Sequence, residues 1–200
     1  MSNNAYIEMR QGATKVINVG GYDIHKAESN PLLFEMLVGE MLVKNLPLVV
    51  WEPFAGHSGS NANQNFAESL GCQLISFDLE PSDDRVVKAD STVTEPGCEL
   101  GGVFFHPPYF GSALLSDDSR DISKIKVWED YLENLCKTVL IIDSWTVSRG
   151  LVFAIGRDYQ HLGRRIRLDQ EYLRLFEQHH FKIVNVLKSE PDVVLVFEKL

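Results

Sequence analysis

At 200 residues the chain has room for one domain with a sizeable core, and a mix of 44% hydrophobic and 24% charged residues is ordinary for a globular protein in water. A formal charge of −9 holds phosphate off at long range, which excludes a broad nucleic-acid-coating surface and leaves room for a local basic site. No apolar run approaches the roughly 20 residues of a bilayer span, MSNNAYIEMRQG lacks an apolar signal core, and Cys72, Cys98 and Cys136 are scattered without a CxxC; a cytoplasmic protein with reduced thiols, no disulfide frame and no metal site is expected.

Residues 1–28 are weakly patterned and read as an N-terminal arm or a short strand, and residues 29–200 as one domain. Asn30 suits a helix cap and Pro31 the first helical position, and Leu33, Met36, Leu37, Met41 and Leu42 follow at helical spacing until Pro47. LVVW (48–51) predicts a buried strand, the Gly56, Ser58, Gly59 stretch a loop, and NANQNFAESLG a helix ending at Gly71. QLISFD (73–78), RVVKAD (85–90) and GGVFF (101–105) predict three more strands. The polar residues 110–125 read as a long loop of the kind that usually serves function. Trp128, Tyr131, Leu132, Leu135, Val139 and Ile142 mark one face of a long helix, with core as the ordinary role of its aromatics. GLVFAIG (150–156) predicts a fifth strand, RDYQHLGRRIR a polar loop, LDQEYLRLFEQHH a helix, and FKIVNVLK with VVLVFEKL a closing hairpin. Alternation of strands and helices implies an α/β fold: a mostly parallel, Rossmann-like sheet of seven strands with helices on both faces and an antiparallel strand at one edge.

In such sheets ligands lie beyond the carboxyl ends of the strands. Five turns fall there. The first, EPFAGHSGSN (52–61), has glycines that let backbone approach a ligand; the acid Glu52 fits either a cap or an amino group, and Phe54 is more often core than platform. The second, FDLEP (77–81), places Asp78 for the hydroxyls of a ribose, with Glu80 as the fallback and Leu79 beside it. The third, KADST (88–92), offers Asp90 and Ser91, where Asp90 fits an exocyclic amine or a plain turn start equally. The fourth is HPPYF (106–110), and the fifth opens a basic stretch. This is a nucleoside-type site; neither GxGxxG nor GxxxxGK[ST] is present, so neither a dinucleotide nor a nucleoside triphosphate is its natural occupant.

The combination EPFAG, FDLEP, ADS and HPPY resembles the S-adenosylmethionine-dependent methyltransferases that modify the exocyclic nitrogen of adenine or cytosine in DNA, whose usual marks are a DPFxGxGT-like loop and a [DNS]PP[YF] corner. The resemblance covers about residues 29–200 and makes that span a methyltransferase catalytic domain of the class I type. It departs in a glycine loop one residue longer, in His106 where Asp, Asn or Ser is usual, and in having no inserted recognition domain.

The resemblance implies S-adenosylmethionine as cofactor, held by Asn30, Pro31, Glu52, Phe54, Ala55, Gly56, Ser58, Gly59, Asp78, Leu79, Asp90 and Ser91. It implies a catalytic corner of His106, Pro107, Pro108 and Tyr109, in which His106 and the Pro107 carbonyl accept the two amino hydrogens and Tyr109 stacks on an extruded base. Proline fixes φ, so that carbonyl is held rigidly. Imidazole accepts only when neutral, which predicts activity falling below about pH 6.5. Asn30 is as readily a helix cap, and His57 an exposed loop residue. Arg157, Arg164 and Arg165, in the densest basic stretch, and Lys124 are the candidates for contact with DNA, against the ordinary reading of a solvated loop. Site-specific methylation, as in restriction-modification, is the leading expectation, with a homodimer or a separate specificity subunit as partner. RNA or protein-glutamine methylation, an inactive cofactor-binding subunit marked by His106, and a non-catalytic nucleoside-binding module are the alternatives.

Overall fold

The computed structural model describes residues 15–18, 30–56, 60–111, 116–189 and 192–200. In chain order these form β1 (Lys15–Asn18), α1 (Asn30–Val43), β2 (Val49–Glu52), α2 (Ser60–Ser69), β3 (Gln73–Asp78), β4 (Val87–Lys88), β5 (Leu100–Phe105), a short 3₁₀ turn (Ile122–Lys124), α3 (Trp128–Trp145), β6 (Thr146–His161), β7 (Arg164–Arg167), α4 (Leu168–Glu177), β8 (Phe181–Ser189) and β9 (Asp192–Lys199). The sheet order is β1-β8-β9-β6-β5-β2-β3-β4, with β7 paired to β6 off that path. Strands β4, β3, β2, β5 and β6 run parallel, β9 is antiparallel to both β6 and β8, and β1 lies parallel to β8. Among the described residues no helix is long and apolar enough to cross a membrane.

The central strands are buried on both faces, which is why their sequences read as unbroken apolar runs. Neighbours within a strand alternate sides. Trp51, Phe105 and Phe197 join Tyr131, Leu135, Val139, Tyr172 and Phe176 from α3 and α4 in one core, while Val50, Phe104 and Val196 join Leu33, Phe34, Leu37 and Met41 from α1 in the other.

Three expectations are corrected. The sheet has nine strands, two more than predicted: the extra ones are β1, in the stretch read as an arm or a short strand, and β7. The antiparallel strand β9 stands inside the sheet between β6 and β8, because VVLVF is apolar on both faces and only an interior position buries both. The stretch 157–167 is not a loop: β6 continues to His161, turns through Leu162 and Gly163, and pairs back as β7 in the register Asp158↔Arg167 to His161↔Arg164.

Candidate functional site at the carboxyl rim

β5 delivers the HPPYF corner to the carboxyl edge of the sheet. Phe105, fully buried, meets Phe54, Tyr172 and Phe176 edge-on at 5.4–5.8 Å, and this fixes where the strand stops. Pro107 then buries while His106, Pro108 and Tyr109 stay half-buried. Two tyrosines hold the turn by its backbone: the Tyr131 hydroxyl, from α3, donates to the Pro108 carbonyl at 3.0 Å, and the Tyr159 hydroxyl, from β6, donates to the Phe110 carbonyl at 2.8 Å. Burial keeps both phenols protonated, raising Tyr131 well above its usual range and Tyr159 to about 12, so both remain donors. The Tyr109 ring stacks on Tyr159 at 5.7 Å and 18°, and His106 meets Tyr109 at 5.9 Å. One face of the ring expected to stack on a base is therefore covered by Tyr159.

The glycine loop and the acids lie at the ends of β2, β3 and β4. Asp78, the last residue of β3, accepts from the Gly56 amide at 2.9 Å and the Glu80 amide at 2.7 Å, so it ties two turns of the rim together. Each of its oxygens keeps acceptor capacity beyond these bonds, because an ionised carboxylate offers about four lone-pair sites. Gly56 has φ +66°, and the direction a Cβ would take is open space, so this turn can bring bare backbone against a ligand. Ala55, buried, donates its amide to the Phe77 carbonyl at 2.9 Å. Glu52 is 3% exposed, and its two oxygens accept from Asn63 of α2 at 2.7 Å and Ser76 of β3 at 2.9 Å; Gln64 donates in turn to Ser76 at 3.1 Å. Desolvation is the main reason its pKa rises to about 7. Asp90 accepts from the Thr92 amide and hydroxyl at 2.9 and 2.7 Å, the geometry of a turn start. The Ser91 hydroxyl, buried, donates to the Pro53 carbonyl and so locks the third turn to the first. Leu79 stands half-buried between Asp78 and Glu80. Ser58, Gly59 and the side chains of Asn30 and Pro31 lie outside what is described.

The basic residues acquire protein partners. Arg157 grips the fully buried Asp192 carboxylate with two bonds of 2.7 and 3.0 Å, directly across the β6–β9 ladder. Arg165 pairs with Asp158 on the exposed side of the hairpin, Arg164 lies over the Trp128 ring at 5.6 Å, and Lys124 donates to the Asp118 carbonyl at 2.9 Å. Lys124 stands apart from the hairpin, on the 3₁₀ turn. Sequence reasoning missed Asn63, Ser76, Tyr159 and Asp192, and read Tyr131 only as core; the one visible signal was that Tyr131 and Tyr172 are polar-tipped aromatics on the apolar faces of helices, where a hydroxyl needs a partner.

β9 thus stands antiparallel inside a mostly parallel sheet whose loops gather on the carboxyl rim. No protein-family model and no curated protein matches the chain. Solved structures do. The Burkholderia thailandensis 1,6-didemethyltoxoflavin-N1-methyltransferase, solved with 1,6-didemethyltoxoflavin and S-adenosylhomocysteine bound, superposes at a TM-score of 0.58 with 14% identity, over 88% of this chain and 81% of its own. A protein from Clostridium thermocellum described as an rRNA methylase gives 0.52 and 13% over 86% and 96%. A SAM-dependent methyltransferase from Archaeoglobus fulgidus gives 0.51 and 13% over 86% and 95%. This chain has the fold they share.

Proposed function

We propose that the protein transfers a methyl group from S-adenosylmethionine to the exocyclic amino group of adenine or cytosine in DNA. The observation that carries the reading is the placement of His106 and Pro107 at the end of β5, on the same rim as Glu52, Asp78 and Asp90. The cofactor is suited to that rim. It carries an ammonium, a sulfonium and two ribose hydroxyls, and the rim offers Asp78, Glu80 and Asp90 as acceptors beside the open backbone of Gly56. Glu52 acts indirectly, because it is buried and holds Asn63 of α2 and Ser76 of β3. When bound, the cofactor supplies an electrophilic methyl group.

The chain's own residues prepare the acceptor. An aromatic amine is a weak nucleophile because its lone pair is delocalised; accepting both amino hydrogens, at His106 Nδ1 or Nε2 and at the Pro107 carbonyl, localises it. The Tyr131 bond goes to Pro108 and not to Pro107, so it stiffens the corner without using the carbonyl the reaction needs. Positioning then supplies much of the rate. RNA is the second reading, favoured by the C. thermocellum neighbour.

The test is transfer of labelled methyl from S-adenosylmethionine to DNA, RNA and protein in parallel, with His106→Ala as control and calorimetry for the cofactor. Labelled DNA that loses its label with His106→Ala supports the reading. Cofactor binding with label only in RNA moves it to the second; no cofactor binding removes both.

A further inference from the structure

The β6–β7 hairpin is anchored to the corner by Tyr159 and His161. β6 passes Phe105 at Ala154 and continues from Ile155 to His161, about 20 Å of strand at roughly 3.3 Å per residue. Tyr159 stacks on Tyr109 and donates to Phe110. His161 packs edge-on against Phe110 at 5.2 Å and lies where a Cβ on Gly111 would have to be, within 2.6 Å of all three nearest ring atoms. Arg164, opposite His161 in the ladder, lies over Trp128, which also packs on Phe110. The hairpin thus packs on the corner at Tyr159 and His161, and its tip stands just beyond those contacts.

What stands at that tip contradicts the chemistry of the turn. Leu162 and Gly163 have φ of +48° and +77°, the signs of a type I′ turn, which strongly favours Asn or Gly at its first position. Leucine there is strained, and its side chain is 94% exposed, the most exposed large hydrophobic residue described. Water gives no reason to hold an apolar group in that conformation. The flanks are cationic: residues 157–167 hold four arginines against one aspartate in a chain of formal charge −9.

Resting on the methyltransferase reading above, we propose that the hairpin is a wedge for duplex nucleic acid: Leu162 enters the base stack at the target, filling the space left by the base that moves to the HPPYF corner, while the flanking arginines meet the phosphates. An apolar side chain inserted between base steps unstacks them, and extrusion costs a few kcal/mol for a paired base and least for an unpaired one.

Leu162→Asn separates wedge from scaffold, because asparagine suits the turn better than leucine and leaves the hairpin folded. Labelled-methyl transfer is compared on native and heat-denatured DNA of the same source, with thermal melting and cofactor calorimetry alongside. Leu162→Asn is expected to melt no lower than the parent, to bind cofactor equally, to transfer at the parent rate to denatured DNA, and to lose at least tenfold in kcat/KM on native DNA. An unchanged native-to-denatured ratio overturns the wedge and leaves the methyltransferase reading standing. No transfer by the parent protein to either form overturns that reading, and the wedge with it.

Discussion

His106 and Glu52 stand on one rim and respond oppositely to acid. Protonation removes the acceptor from His106 and should lower activity as the pH falls. Glu52 gains from protonation, because burial penalises its charged form and raises its pKa from 4.5 to about 7. Between those two values the native state holds a proton that the unfolded chain has released. This group's contribution to stability is therefore whole below the lower value and is lost as pH rises through the upper one. Glu52→Gln carries no such loss. Its stability relative to the parent should improve by on the order of 2 kcal/mol between about pH 5 and pH 8, read from urea denaturation at both. The two residues also separate kinetically. His106→Asn keeps an acceptor at every pH and should abolish the acid fall in kcat; a fall that persists assigns it to Glu52.

At the scale of elements, Arg157 belongs to the sheet. Its guanidinium neutralises Asp192, which is 1% exposed, across paired strands. Arg157→Ala takes its cation away from a buried carboxylate and should cost about 3 kcal/mol of unfolding free energy, with Asp192→Asn recovering part of it in the double variant. Tyr131→Phe tests the helix-to-corner bond: the loss of one hydroxyl should cost about 1 kcal/mol in stability, and a larger fall in kcat than in cofactor affinity would show that the corner has loosened. The strands that build the rim were legible because LVVW, QLISFD and GGVFF are apolar on both faces and end at turn residues. The hairpin was not. In RDYQHLGRRIR the inward face carries Tyr159, His161, Arg164 and Ile166, too polar a set to announce a strand, the turn is Leu-Gly where Asn-Gly would have signalled it, and its support is another loop, the corner, whose position no local pattern announces. Asp192 was hidden for the same reason, since its partner lies 35 residues away in sequence. The acids of the rim were found by position alone. Their bonds to Gly56, Asn63 and Ser76 needed the tertiary fold, whereas the Asp90–Thr92 turn is local.

The molecule as a whole is acidic, and its arginines are largely committed within the hairpin and sheet: Arg157 to Asp192, Arg165 to Asp158, Arg167 to Asp169. The exposed pairs among these are weak and can exchange their carboxylate for a phosphate, whereas the Arg157 pair cannot, because releasing it strands a buried charge. That leaves Arg164, Arg165 and Arg167 to meet a polyanion. Each phosphate contact on duplex DNA contributes about 0.9 to the slope of log affinity against log salt, so the whole protein should show a slope no steeper than roughly −3. Arg164→Ala should flatten it by about one unit and weaken binding to all sequences alike, without touching cofactor affinity. Titrations of fluorescent duplex at several salt concentrations measure both. A slope near −6, by about the same per-phosphate factor, would mean that a second cationic surface takes part, and the hairpin would then no longer account for how an acidic chain holds a nucleic acid.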